Sequence, residues 1–164
     1  MRSASSKRFT LFWSAKLYHW GMRVLGIDVG QRRIGFAISD PSRTLARPLS
    51  TVTVAGASDA IERAAETVAR LQAEDDGLDE IVVGMPCRLD GTPTTATPRV
   101  IAFIDALKKR TTLPVTTEGE RLTSREAESR LAVRERDWRE RKKHLDAAAA
   151  AIILQDYLDR AAGG

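Results

Sequence analysis

The chain has 164 residues, of which 43% are hydrophobic and 29% are charged, a composition typical of a soluble globular protein with one core. Its formal net charge of +4 favours an anionic partner, with nucleic acid as the first candidate. The single cysteine, Cys87, excludes an intrachain disulfide and fits a reducing, cytoplasmic setting. No apolar stretch is long enough to span a bilayer, so no membrane partner is expected.

Residues 1–21 differ in composition from the rest of the chain. They contain no acidic residue but several basic and aromatic ones. Lys16 interrupts the apolar run that a secretory signal would need. We expect residues 1–21 to form a basic, disordered extension and residues 22–164 to form one domain that functionally begins at Met22. An arm that binds a membrane surface or nucleic acid is the alternative.

The stretch from Val24 to Ser39 predicts two strands folded back on each other. Its first half is apolar except for Asp28, and its second half alternates with period two, with Gly30 and three polar residues between them as a turn. A carboxylate within an apolar strand is unfavourable to bury unless it is paired or binds a cation. Asp28 is therefore the first candidate site residue, although an acid that accepts turn amides is the alternative.

The remaining patterns predict three more strands joined by helices. The predicted strands lie at 44–54, 81–83 and 113–117. The predicted helices lie at 58–71, 100–107, 123–131 and 145–158. Ser58 is the predicted N-cap of the first helix, and the charged residues 134–143 are predicted to form a loop. An antiparallel start followed by helix-connected strands indicates an α/β fold, a mixed five-stranded sheet flanked by helices.

Three acidic residues occupy positions that this order of elements can bring together. Asp28 lies in the first strand, Glu120 just after the fifth strand, and Asp146 in the first turn of the last helix. If the first and fifth strands are close and the last helix packs across them, the three carboxylates converge. Such a group repels itself unless a cation neutralises it, and oxygen-only ligands suit Mg²⁺ or Mn²⁺.

Each acid also has a simpler explanation. Asp146 would favour the positive end of its helix without any metal. Glu120 would be a surface partner of Arg121, and the nearby Glu118 is an alternative to Glu120 as the important acid. The three acids are therefore a hypothesis about a site, and the structure has to show which of them meet.

Basic residues near these acids are predicted to contact phosphates, which give affinity but little sequence preference. They are Arg32, Arg33, Arg88, Lys142 and Lys143. For Arg32 and Arg33, it is an equal alternative that they are only solvent-exposed residues of the turn and contact no phosphate. Arg88 falls in a loop rich in Gly, Pro and Thr that follows the fourth strand.

Spaced motifs in residues 22–160 together resemble the YqgF (RuvX) family. They are Gly26-Ile27-Asp28-Val29-Gly30, Arg33-Ile34-Gly35, Ser39-Asp40, Val82-Val83-Gly84-Met85-Pro86, Asp90-Gly91, Glu120-Arg121-Leu122-Thr123-Ser124, Asp146-Ala147-Ala148-Ala149 and Ile153-Leu154-Gln155. The resemblance implies a ribonuclease H-like fold and makes Asp28, Glu120 and Asp146 the matches of the family's metal-binding catalytic acids. Two departures are Gly119, where the family usually has Asp, and Arg88, where it usually has Asn. The first departure weakens the hypothesis of a second metal ion.

The resemblance implies a metal-dependent endonuclease that processes the 5′ end of the 16S ribosomal RNA precursor. Its implied partners are structured RNA and the pre-ribosomal small subunit. A Holliday junction resolvase that acts on branched DNA would use the same chemistry, and a non-catalytic scaffold for ribosome maturation is a further alternative. The spacing of Asp28, Gly30 and Gly35 also resembles the phosphate loop of sugar kinases and actin-like ATPases, but these need a second domain for which the chain is too short.

Overall fold

The computed structural model describes the backbone of residues 21–120 and 138–164, and the side chains of residues 21–119 and 144–164. The predicted extension, except Gly21, and the predicted helix at 123–131 lie outside these residues. The elements in chain order are β1 Arg23–Val29, β2 Arg33–Ser39, β3 Ala46–Thr53, α1 Ala57–Gln72, β4 Leu78–Pro86, α2 Thr97–Lys108, β5 Val115–Glu120 and α3 Trp138–Gly163.

The five strands form one mixed sheet in the order β3-β2-β1-β4-β5. β1 pairs antiparallel with β2 and parallel with β4, and β4 pairs parallel with β5. These pairings confirm the predicted hairpin and the predicted mixed five-stranded sheet. The first and fifth strands are not neighbours, however, because β4 lies between them. Acids on β1 and β5 can therefore meet only across β4.

Helices cover both faces of this sheet. Alternation along β1 sends Leu25 and Ile27 to the face covered by α1 and α2, and Val24 to the face covered by α3. All three side chains are fully buried. The near-continuous apolar run of β1 follows from this position, because a strand buried on both faces has no solvent side for polar residues.

Small residues let α3 approach the sheet closely. A Cβ added to Gly26 would lie 2.8 Å from the Cβ of Leu154 and 3.0 Å from the carbonyl oxygen of Ala150. A Cβ added to Gly35 would lie only 1.9 Å from the carbonyl oxygen of Asp146. The helix is Ala-rich where it crosses these glycines, so backbone packs against backbone. This contact fixes the position of Asp146 above β2.

The predicted start of the last helix is wrong. α3 begins at Trp138, seven residues before Leu145, so the predicted charged loop is helical from Trp138 to Lys143. Arg, Glu and Lys are favourable helix residues even where no apolar periodicity marks the helix. Asp146 consequently lies inside the helix and not in its first turn.

Two further predicted boundaries are wrong. β5 continues to Glu120, whose backbone pairs with Pro86 of β4, so Glu120 ends the strand instead of following it. α1 begins at Ala57 with Gly56 in the N-cap position, two residues before the predicted cap. Among the helices in the described part of the chain, none has the length and apolar character needed to cross a membrane.

Candidate active site

Asp28 lies near the end of β1 on the face of the sheet that α3 covers. Side chains two residues apart along a strand share a face, and Gly26 faces Leu154 of α3. Asp28 is also paired across the hairpin with Gly35, which faces Asp146 of the same helix. Both neighbours put the half-buried Asp28 carboxylate on the α3 side.

Gly35 connects Asp28 with Asp146. The Cα atoms of directly paired antiparallel residues are about 5 Å apart, and the Asp146 main chain packs onto the Cα of Gly35. Asp146 lies eight residues after Trp138, which is more than two helical turns. The alternative that Asp146 only serves the positive end of its helix is therefore wrong. The contact of Gly35 with α3 was not predicted, although a glycine within the alternating pattern of β2 was its signal.

Arg33, the first residue of β2, forms an ion pair with Asp146. Its Nε donates a hydrogen bond to Oδ2 of Asp146 at 2.7 Å, and the two side chains are 29% and 21% exposed. Arg32 beside it is exposed, and its carbonyl oxygen accepts a hydrogen bond from the Val54 N–H at 2.9 Å. A cavity of about 230 Å³ lies between the hairpin turn, including both arginines, and Asp146. The predicted phosphate contact Arg33 thus also holds one of the predicted acids.

The backbone of Glu120 lies at the same edge of the sheet as Asp28. β1, β4 and β5 run parallel to one another, so their carboxyl ends share one edge, where ligands of open α/β sheets commonly bind. Among the described side chains, no group of three or more His, Cys, Asp or Glu could hold a metal ion. Asp28 and Asp146 are the described carboxylates around Gly35, and their hard oxygen donors suit Mg²⁺ or Mn²⁺.

Glu118, the alternative acid on β5, has a different partner. Its side chain is buried, and its carboxylate forms an ion pair with Arg160 near the end of α3. This ion pair joins β5 to α3 on the face of the sheet that α3 covers. A buried carboxylate that is already paired with a cation is better explained by this contact than by catalysis.

Gly119 lies on the opposite face of β5 from Glu118. A Cβ at this position would lie 3.8 Å from Sγ of Cys87, and strand alternation turns it away from α3. An acid here would point toward Cys87 and away from Asp28 and Asp146. The effect of Gly119 on a second metal site stays a prediction.

The remaining predicted phosphate contacts lie in a loop and on α3. Arg88 is exposed in the loop after β4, which is folded by two backbone hydrogen bonds of 2.8 Å, one from the Arg88 N–H to Thr92 and one from the Gly91 N–H to Arg88. A cavity of about 550 Å³ lies against this loop. Lys142 and Lys143 lie on α3, one turn before Asp146.

In a comparison with protein-family models, the chain matches RuvX, described as Holliday junction resolvase, over residues 22–160. A relative from Desulforamulus reducens is 38% identical over 141 residues, which cover 86% of this chain and 99% of the relative. A relative from Chloroflexus aggregans is 42% identical over 136 residues, with 83% and 92% coverage. Both carry the name "Putative pre-16S rRNA nuclease".

Among solved structures, the chain is similar to Thermus thermophilus RuvC in complex with Holliday junction substrate. The TM-score is 0.53 at 17% sequence identity, and the match covers 87% of this chain and 96% of that chain. A second structure, described as Thermus thermophilus RuvC structure, gives a TM-score of 0.51 at 17% identity. These likenesses confirm the predicted ribonuclease H-like fold.

Proposed function

The chain belongs to the RuvX family, and from this premise we propose that it is a metal-dependent endonuclease that processes the ribosomal RNA precursor. The observation that carries the proposal is that the main chain of Asp146 packs on Gly35, the residue paired with Asp28, at the carboxyl edge of the sheet. The names of the relatives at 38% and 42% identity support 16S precursor RNA as the substrate. The proposal implies a cytoplasmic protein that meets the pre-ribosomal small subunit.

Mg²⁺ or Mn²⁺ is the proposed cofactor. Asp28 and Asp146 would hold it with their carboxylate oxygens, and Glu120 at the end of β5 is the proposed third ligand. When bound, the ion would activate the attacking water and stabilise the leaving oxygen of the phosphodiester. The chain itself supplies the spacing of the acids, because Gly35 permits the close approach of α3 to β2.

The proposed contacts to nucleic acid are basic residues around this edge. They are Arg32, Arg33, Arg88, Lys142 and Lys143. Contacts to phosphates fix the position of a strand without reading its sequence, so the shape of the RNA would determine where it is cleaved. Arg33 would have two roles, because its guanidinium also pairs with the carboxylate of Asp146.

A Holliday junction resolvase is the second candidate function. The description of the matching family model favours it. Branched DNA presents the same phosphates to the same acids, so the chemistry does not separate the two candidates. The identity to the curated relatives is about twice that to RuvC, and for this reason the RNA precursor is the first candidate.

A cleavage panel with Asp28→Asn tests the proposal. The substrates are 16S precursor RNA, a four-way DNA junction and linear duplex DNA, each with Mn²⁺ and with a chelator. We expect the wild-type protein to cleave the precursor only with the metal, and Asp28→Asn to lose at least about a hundredfold in rate while it still folds and binds RNA. Asp146→Asn and Glu120→Gln should behave alike, and double variants should be little worse.

The matched control is Asp76→Asn, which removes an equal charge at an exposed position between α1 and β4. It should cleave like the wild type. Undiminished cleavage by Asp28→Asn would reject the proposed site. Cleavage of the junction but not of the precursor would favour the second function, and binding without any cleavage would favour a scaffold.

A further inference from the structure

A third cavity, the α1–α2 pocket, opens on the face of the sheet opposite to α3. Its volume is about 720 Å³, and apolar side chains such as Val29, Ile61 and Phe103 form much of its wall. Gly30 and Gln31 line this pocket and also line the cavity beside Asp146. The hairpin turn is therefore a wall common to the proposed catalytic edge and to the α1–α2 pocket.

Arg99 of α2 lines the α1–α2 pocket without a partner. Its Nε is buried and finds no hydrogen-bond acceptor within the described residues, and no ion pair of Arg99 occurs among them. A buried charged donor without an acceptor is unfavourable, and such a group calls for an explanation such as a bound ligand. A ligand that carries an anionic oxygen would supply the acceptor.

The charges that line the pocket also favour an anion. Three basic and two acidic side chains line it, one positive charge in excess. Glu62 pairs with Arg110 at 3.1 Å. Asp105 of α2 and Lys109 just after its end carry opposite charges, and Arg99 adds a further positive charge. The first turn of α1 adds backbone donors, since Gly56 provides no side-chain cap.

We propose that the α1–α2 pocket binds one unstacked nucleotide of the strand that the protein cleaves, with its phosphate at Arg99 and its base against the apolar wall. The volume is within the range of small-ligand sites, and proteins bind splayed-out bases on apolar or aromatic surfaces. The inference rests on the proposed function, because the strand must cross the hairpin turn from the catalytic edge. It predicts a need for an unpaired nucleotide beside the cleaved bond.

Binding is tested apart from cleavage, in chelator and with a fluorescent 5′-phosphorylated tetrauridylate as the probe. Arg99→Gln removes the charge, and Ala102→Trp fills the pocket from an exposed helix position. Their matched controls are Lys108→Gln and Ile101→Trp, which change exposed residues of α2 outside the pocket. We expect about tenfold weaker binding for each pocket variant and less than about twofold change for each control.

Specific results would contradict the proposed binding of a nucleotide in the α1–α2 pocket. Equal affinity for the probe in Arg99→Gln and in Lys108→Gln would contradict nucleotide binding in the pocket, whether or not the protein cleaves RNA. The same comparison tests the pocket even when the Ala102→Trp variant does not fold. Adenosine monophosphate should shift the amide NMR signals of Gly30 and Arg99, and shifts confined to other surfaces would contradict the assignment. If the pocket variants lose binding while the wild-type protein cleaves no nucleic acid, the pocket stands and the nuclease proposal fails.

Discussion

At the scale of single residues, Gly35 determines how closely α3 approaches the sheet. We expect Gly35→Ala to lower the free energy of unfolding by at least about 2 kcal/mol, because its Cβ would lie 1.9 Å from the Asp146 carbonyl oxygen and only a backbone shift can relieve that overlap. Urea denaturation measures the effect. Gly56→Ala is the control, since its Cβ would meet nothing within 4 Å, and it should change stability by less than about 1 kcal/mol.

A Gly35→Ala protein as stable as its Gly56→Ala control would contradict the contact between β2 and α3. It would also remove the structural reason for the meeting of Asp28 and Asp146, and with it the main support for the proposed metal site.

Arg33 competes with any cation for the carboxylate of Asp146. Its Nε donates a hydrogen bond to Oδ2 at 2.7 Å. We therefore expect Arg33→Gln to bind Mn²⁺ about two- to fivefold more tightly, since a partly exposed ion pair contributes up to about 1 kcal/mol. Calorimetric titration compares it with Arg32→Gln, which loses the same charge beside it. Weaker binding in Arg33→Gln than in Arg32→Gln would show that Arg33 positions Asp146 for the metal.

At the scale of elements, a polar network holds α3 to the sheet near the start of β4. The Tyr157 hydroxyl of α3 donates to Glu80 of β4, and Thr116 of β5 donates to the same carboxylate at 3.3 Å. Arg43 pairs with Glu80 at 3.4 Å from the turn before β3. The hydrogen bond to Glu80, followed by burial, raises the pKa of Tyr157 above its ordinary value of 10.0.

The raised pKa of Tyr157 predicts an alkaline loss of stability. The phenol ionises more readily in the unfolded chain, so its stabilisation is complete below about pH 10 and is lost as the pH rises through the folded-state pKa. Tyr157→Phe should lower the free energy of unfolding at about pH 7 by about 1 kcal/mol, and the difference between the two proteins should shrink as the pH rises from about 10 through the folded-state pKa. Urea denaturation across this range measures it. A difference that does not change with pH would contradict the role of Tyr157 ionisation.

Local sequence patterns predicted those elements that pack against a partner close to them in the sequence. The hairpin was predictable because its period-two pattern and its turn lie within sixteen residues, and Asp28 was conspicuous as a lone carboxylate in an apolar strand. The start of α3 at Trp138 was not predictable in the same way. Its first residues are charged and carry no apolar periodicity, although their helix propensity is high.

The site itself depends on contacts that no local pattern contains. The position of β4 between β1 and β5 is a property of parallel pairing over long sequence separations. Gly119 precedes Glu120 in the sequence, yet consecutive residues of a strand point to opposite faces, and Gly119 faces Cys87. The ion pair of Arg33 with Asp146 joins residues 113 positions apart. Motif spacing therefore identified the candidates, whereas the packing of α3 on the sheet brings Arg33 and Asp146 together.

At the scale of the whole molecule, the net charge of +4 favours an anionic partner, and the position of each cation decides whether it contacts that partner. We expect Arg88→Ala to reduce the slope of log affinity for RNA against log salt by about 0.7 to 0.9, the value for one phosphate contact. Fluorescence anisotropy measures this in the Asp28→Asn background, where RNA stays intact.

The control for Arg88→Ala is Arg70→Ala, which removes an equal charge from α1, where Arg70 pairs with Glu74 at 3.5 Å. An unchanged slope in Arg88→Ala would reject its phosphate contact. An equal decrease in both variants would mean that the total charge, and not the loop after β4, determines the affinity. A decrease in Arg88→Ala alone would mean that RNA reaches beyond the first hairpin to this loop, because a phosphate contact requires direct approach within a few ångströms.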